Sequence, residues 1–192
     1  MELQGKRVAV LVGRDFEESE AIYPIYRLKE AGAEVLVAGP DAEPLEGKHG
    51  YPLQVDHAFE DLDAGDLDGV VLPGGYGPDH VRRSKAALKL VKALFDEGKL
   101  VAAICHAGWV LASAGVLRGR EATSFSSIKD DVEAAGARWR DAEVVVDGNL
   151  VTSRHPGDLP AFMRAVLAGL GEGEARKSSA GGRRRRAVTS RR

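Results

Sequence analysis

The stretch Leu100-Val101-Ala102-Ala103-Ile104-Cys105-His106-Ala107-Gly108 decides the fold. Its first five residues form a continuous apolar run of the kind shown by a β-strand buried on both faces. After Cys105 comes an Ala-rich segment with helical spacing, which carries Val110 and Leu111 and closes near Gly115. A nucleophile-type residue between a buried strand and a helix start is the arrangement called a nucleophile elbow. Ala103 and Ala107, two residues to either side of Cys105, are small enough for the tight backbone that such a turn needs. The helix N-terminus beyond it directs unpaired N–H groups toward the sulfur, which favours thiolate over thiol. A free cysteine is ordinarily a small core residue. The adjacent His106 and the small-x-Cys-x-small frame point instead to a reactive thiol.

Outward from this stretch, short apolar runs recur at residues 8–12, 34–38 and 70–72, the first and third followed by a helical pattern and the second closed by Gly39-Pro40. Asp15, Glu17, Glu18 and Glu20 suit the first turn of a helix. Ser19 or a neighbour caps it, and it runs through Ile22, Ile25, Tyr26 and Leu28 to Gly32. Ser84 is the expected N-cap of a helix with Leu88, Val91, Leu94 and Phe95 on one face. Residues 128–135 read as a short helix and residues 159–170 as a final one. Asp147-Gly148-Asn149 between two apolar runs is a hairpin signal. The less regular residues 41–68 hold a small antiparallel strand or hairpin around Leu53-Gln54-Val55-Asp56-His57. Strands and helices alternate throughout, which predicts an α/β domain: a doubly wound, mostly parallel sheet flanked by helices. Such sheets bind ligands at the carboxyl ends of their strands.

Composition narrows the class. The chain has 192 residues, 44% hydrophobic and 29% charged, as an ordinary globular domain has. A lone cysteine excludes an internal disulfide framework and fits a reducing compartment. No apolar run approaches the roughly 18 residues that span a bilayer. Residues 1–7 lead directly into the first strand without a signal-peptide pattern, so a cytoplasmic location is expected. The net charge of -2 conceals an asymmetry: residues 171–192 carry eight Lys/Arg and two Glu, or +6, which leaves -8 on residues 1–170. The division expected is a folded unit over 1–170 and a basic tail over 171–192 with too few apolar residues to fold alone. Arg183-Arg184-Arg185-Arg186 is a candidate contact for nucleic acid, although a solvated tail without a specific partner is the simpler expectation.

Candidate chemistry gathers at three strand ends: Glu20 after the first run, the Pro73-Gly74-Gly75-Tyr76-Gly77-Pro78-Asp79 loop after the third, and Cys105-His106. Together they offer a thiol, proton carriers and a glycine loop whose N–H groups can approach a carbonyl oxygen. The histidines and the cysteine show no metal spacing. Gly74-Gly75-Tyr76-Gly77 lacks the G-x-G-x-x-G dinucleotide pattern, and no P-loop occurs. Trp109 and Trp139 read as core or interface residues. No metal or cofactor is expected.

The motifs Glu20-Ala21-Ile22-Tyr23-Pro24, Leu72-Pro73-Gly74-Gly75, Ala103-Ile104-Cys105-His106 and Val151-Thr152-Ser153-Arg154-His155-Pro156-Gly157-Asp158-Leu159 resemble the PfpI/ThiJ family over residues 6–170. Gly47-Lys48-His49-Gly50-Tyr51 and Ser127-Ile128-Lys129-Asp130-Asp131 resemble its PfpI branch of intracellular peptidases, which is related to the Parkinsonism-associated deglycase. The resemblance implies a flavodoxin-like fold of the class I glutamine amidotransferase type. It implies that Cys105 is the nucleophile, Glu20 the carboxyl beside its sulfur and His106 the proton carrier, with backbone N–H groups of Gly75 and His106 as oxyanion hole. The family's acidic partner of the histidine falls at Asp79, one methylene shorter than the Glu of some relatives. In PfpI-type oligomers a neighbouring subunit supplies it, so a homo-oligomer, dimer or hexamer, is implied.

His155-Pro156-Gly157 resembles the His-Pro-Glu of glutamine amidotransferases but lacks the Glu, and the family places it in a structural Arg-x-Pro corner. Because two adjoining acids titrate as a pair, Glu20 is expected to keep a proton and donate it toward the sulfur. The implied activity is that of a stress enzyme acting on small α-oxoaldehydes or their protein adducts. The alternatives are an intracellular cysteine peptidase and a non-catalytic redox sensor or holdase.

Overall fold

The computed structural model describes residues 2–171, so the basic tail lies, but for Gly171, outside the described residues. The chain opens with β1 (Arg7–Leu11), α1 (Glu18–Glu30) and β2 (Glu34–Gly39), followed by the short strands β3 (Leu45–Glu46), β4 (Pro52–Leu53) and β5 (His57–Ala58). Next come β6 (Gly69–Leu72), α2 (Gly77–Val81), α3 (Lys85–Asp96), β7 (Leu100–Ile104) and α4 (Gly108–Ala114). The last third holds β8 (Glu121–Ala122), α5 (Lys129–Ala134), β9 (Arg138–Trp139), β10 (Val144–Asp147), β11 (Leu150–Ser153) and a final helix α6 over 159–171.

Seven strands form one sheet in the order β10-β11-β7-β6-β1-β2-β5. Every pairing is parallel except the β10–β11 hairpin at one edge. Successive residues of β1 feed opposite faces: Ala9 and Leu11 pack on one side, Val8 and Val10 on the other. Both faces are therefore dry, which is why the strands read as unbroken apolar runs rather than alternating ones. α3 and α4 cover the first face, and α1 and α6 the second.

The chain leaves β1 toward β2 on one side and returns to β6 on the other, so the strand order reverses beside β1. Such a switch point leaves a crevice at the carboxyl ends of the strands. Phe16, in the loop after β1, bridges to Gly75 after β6 and to Gly47 after β3, tying three loops together there.

Local chemistry follows the sequence at several boundaries. Ser84 Oγ accepts from the N–H of Ala87, 3.3 Å away, as a helix cap. Gly115 ends α4 in the left-handed conformation, and Gly148 turns the β10–β11 hairpin at φ +66°. Three expectations shift. α1 starts at Glu18 with Glu17 at the cap position, so Ser19 lies inside the helix and its hydroxyl donates to Glu17 rather than capping. The expected antiparallel hairpin in residues 41–68 pairs β3 with β4 and takes in only Leu53 of the alternating stretch, while His57–Ala58 joins the main sheet beside β2. A short helix, α2, also precedes the one capped by Ser84.

Candidate active site

β7 ends at Ile104 in extended conformation, and Cys105 follows at φ +62°, one of two non-glycine residues with positive φ among the described ones. An L side chain is strained there by roughly 1–3 kcal/mol, and the surrounding packing holds it. A single 3₁₀ turn, Cys105–Ala107, links the strand to α4, as an elbow requires. The carbonyl of Cys105 accepts from the N–H of Phe125 at 3.2 Å, which fastens the turn to the loop before α5.

Two residues after β6 close the other side. A Cβ on Gly74 would lie 2.6 Å from Cys105 Cβ and 2.6 Å from Glu20 Oε2, so only glycine fits between them. Gly75, at φ +74°, would drive a Cβ to 2.4 Å from the backbone nitrogen of Glu17. The N–H groups of Gly75 and His106 face the sulfur and favour its charged form. These are the donors implied for an oxyanion hole, here converging on the nucleophile itself.

Glu20, in the first turn of α1, is fully buried. Its Oε2 accepts from the N–H of Gly74 at 2.8 Å, while Oε1 has no oxygen or nitrogen partner and the carboxyl meets the Cys105 sulfur. Burial, reinforced by the charge on Glu17, pushes Glu20 up to about 8, against the pull of the Gly74 N–H. The carboxyl is therefore protonated at neutral pH.

Burial, and then the negative charge of an ionised Glu20, pushes Cys105 up to about 12, against the pull of the Gly75 and His106 N–H groups. Burial and Glu20 thus oppose the thiolate that a helix N-terminus favours. Cys105 is only 8% exposed, and the 3₁₀ turn stands between it and α4. The pair holds its protons, and a base must take one before the sulfur can attack.

His106 is the base in reach. Its Nδ1 lies 3.3 Å from Cys105 Sγ and its Nε2 3.2 Å from Ser127 Oγ. The ring stacks on Phe125 (centroids 5.0 Å apart) and meets the edge of Trp109 at 5.1 Å. Burial and the nearby Lys48 lower its pKa, so the imidazole is neutral and able to accept a proton. Lys48, which follows β3, forms an ion pair with Glu17 and places its charge near the sulfur and Glu20.

Of the residues singled out in the sequence, Glu20, Gly75, Cys105 and His106 come together. Asp79 does not join them within the chain. It is exposed on α2 and makes no side-chain hydrogen bond or ion pair among the described residues, and both ring nitrogens of His106 already have partners. His155 is half-buried in a hollow lined also by Phe125, Trp139 and Arg154, with Nε2 3.9 Å from Asp158. Trp109 borders the site instead of serving as plain core, and its Nε1–H donates to Asp131 at 2.8 Å. Ser127 and Lys48 received no role from the sequence, although both lie in the segments resembling the PfpI branch. A serine in a polar turn carries no signal of its own until the fold brings it to a ring. Glu17, Glu18 and His49 bring ligand-type atoms within 4.8 Å of one another, but Lys48 and Ser19 engage Glu17, and Glu18 engages His49.

Residues 6–169 match the model of the DJ-1/PfpI family. The chain is 52% identical over 161 residues to Deglycase TK1284 of Thermococcus kodakarensis, covering 84% of this chain and 97% of that protein. Deglycase PfpI of Pyrococcus furiosus is 49% identical over 161 residues, with the same coverage. Among solved structures, Drosophila melanogaster DJ-1beta superposes with a TM-score of 0.81 at 34% identity, covering 92% of this chain and 96% of that one. Among the described residues, no helix is long and apolar enough to cross a membrane.

Proposed function

The chain belongs to the DJ-1/PfpI family, and on that premise we propose that it is a cysteine-dependent enzyme of the glyoxalase or deglycase type, acting on α-oxoaldehydes or their adducts with amino groups. The observation that carries this reading is the fully buried Glu20 carboxyl, with one oxygen unpartnered, set against a sulfur that two backbone N–H groups already face. A carbonyl that accepts the sulfur develops negative charge on its oxygen, beside those donors and that carboxyl.

The steps balance as follows. His106 Nδ1 takes the thiol proton as Cys105 Sγ bonds to the aldehyde carbon, and the former carbonyl oxygen takes the proton of Glu20. The Glu20 carboxylate removes the hydrogen from that same carbon while imidazolium protonates the neighbouring ketone oxygen, which gives an enediol. Glu20 returns its proton to the second carbon, the hydroxyl on the first gives its proton to His106, and a thioester results. Water then adds to the thioester carbon, giving a proton to the Glu20 carboxylate. The S–C bond breaks as imidazolium returns its proton to the sulfur, which releases a hydroxy acid and restores the thiol, the neutral His106 and the Glu20 carboxyl. The net change is addition of one water to the oxoaldehyde. General acid–base catalysis of this kind contributes roughly 10²–10⁴-fold.

The test is lactate formation from methylglyoxal by purified protein, run beside Cys105→Ala and beside an unfolded peptide substrate. Lactate that appears with the native chain and vanishes in Cys105→Ala supports the reading, and the variant also controls for contaminating glyoxalase. Cys105-dependent peptide cleavage without lactate would replace it with the peptidase alternative.

A further inference from the structure

Within the chain, both ring nitrogens of His106 have partners. Nδ1 faces the sulfur, and Nε2 faces the Ser127 hydroxyl. Ser127 sits in the 3₁₀ turn Ser126–Ile128, and that turn is pinned on both sides. Just before it, the N–H of Phe125 donates to the carbonyl of Cys105, and within it Ile128 N–H donates to the Phe125 carbonyl at 3.1 Å. The ring itself is clamped between Phe125 and Trp109, and Trp109 is fixed by Asp131 on one side and covered by Arg82 at 5.8 Å. The hydroxyl is thus delivered to Nε2 by the same loop that stacks on the ring.

We propose that Ser127 is the positioning residue of His106, taking within the chain the place that an acidic partner of the imidazole would occupy. The proposal rests on the proton-transfer role given to His106 above. A hydroxyl both donates and accepts. It accepts from Nε2–H while Nδ1 awaits the thiol proton, and still accepts when the ring becomes imidazolium. When Nδ1 carries the only ring proton, the hydroxyl reverses and donates. A carboxylate in its place would also orient the ring, but it would favour imidazolium and raise the pH at which the ring becomes a base. The charged groups around the ring fit a neutral orienting partner. Lys48 approaches from the loop after β3 together with its ion-pair partner Glu17, Glu20 lies on α1 across the sulfur, and Asp131 and Arg82 are engaged through Trp109.

The experiment combines two readouts on native protein, Ser127→Ala, Ser127→Thr and Ser127→Asp. One is the pH profile of kcat and KM for methylglyoxal. The other is the pH dependence of alkylation of the single cysteine by iodoacetamide, together with the ¹⁵N shifts of the His106 imidazole, which need no turnover. Ser127→Ala is expected to lower kcat roughly fivefold to tenfold with KM little changed, the effect of one lost hydrogen bond. Ser127→Thr restores kcat, and Ser127→Asp moves the acid limb of both profiles upward by about one pH unit or more. Unchanged kcat, alkylation profile and imidazole shifts in Ser127→Ala would overturn the proposal. So would recovery of activity on mixing Asp79→Ala with Cys105→Ala subunits, because a carboxylate from a second copy would then be orienting the ring. Absence of lactate from the native protein strikes the proposed function alone, since the alkylation and imidazole readouts still decide the role of Ser127.

Discussion

Two corners at the same level of the sheet make opposite use of a buried carboxyl. β7 and β11 are parallel neighbours with Ile104 opposite Ser153, so Cys105 and Arg154 are the first residues beyond adjoining strand ends. Beyond β11, Arg154 donates to both oxygens of Asp158, at 2.8 and 3.0 Å, and to Asp141 at 2.7 Å. Burial pushes Asp158 up, but the hydrogen bonds and charge of Arg154, together with His155, outweigh it and hold the carboxyl below its usual range. Beyond β7, Glu20 receives one backbone N–H and no cation in contact, and burial carries it upward instead. One corner is electrostatically finished. The other is left short of partners, and a group in that state has a proton to give.

The difference can be broken at either end. Cys105→Ala carries the largest effect, loss of lactate formation to the background of the assay, because no other thiol exists in the chain. Glu20→Gln follows: the hydrogen bond from Gly74 survives, the transferable proton does not, and turnover should fall about 100-fold. Undiminished turnover would remove the relay role. The same variant tests the pH sign. A carboxyl with a folded pKa of about 8 contributes stability that is complete below its unfolded value and lost as pH rises through 8. Denaturant titrations should therefore show native stability declining toward alkaline pH by up to about 1.4 kcal/mol per unit from this group, a slope that Glu20→Gln flattens.

Asp158 has the reverse sign. Its contribution is present above the ordinary aspartate range and lost as pH falls below it, since its folded pKa is depressed. Asp158→Asn should destabilise by about 2 kcal/mol at neutral pH, less than a fully buried pair because Arg154 keeps part of its surface in water. Acid unfolding of the variant should begin from this lower baseline with a shallower slope. The smallest effect is expected from His155→Ala, with stability within about 0.5 kcal/mol of native and kcat unchanged. A large loss of kcat there would mean that the Arg154 corner takes part in the chemistry and would erase the contrast.

Most of the frame was legible because strands buried on both faces must be apolar throughout, as at residues 8–12 and 100–104, where no other element fits the pattern. The elbow was legible for a similar reason: a strained apex needs small neighbours, and Ala103, Ala107 and Gly74 supply them. What escaped was set by tertiary contact. The two-residue strands β8 and β9 are too short to leave a period, and they pair only because the loops after α4 and α5 meet. The net direction of the Cys105 shift depends on how deeply the sulfur is enclosed, which the local sequence does not encode. Ser127 and Asp79 show the same limit: one reaches the imidazole and the other faces solvent, yet nothing in their own surroundings in sequence ranks them in that order.

The hydrogen bond from the Phe125 amide to the Cys105 carbonyl has a consequence for measurement. Phe125 lies outside the main sheet, in a loop whose neighbours Ser126 and Ser127 are exposed, so the protection of its amide from deuterium depends on the elbow holding its shape. One slowly exchanging amide in that loop would then report on the strained turn directly, before any substrate is added. Its release on ligand binding or on Gly74→Ala would time the opening of the elbow separately from the opening of the sheet beneath it.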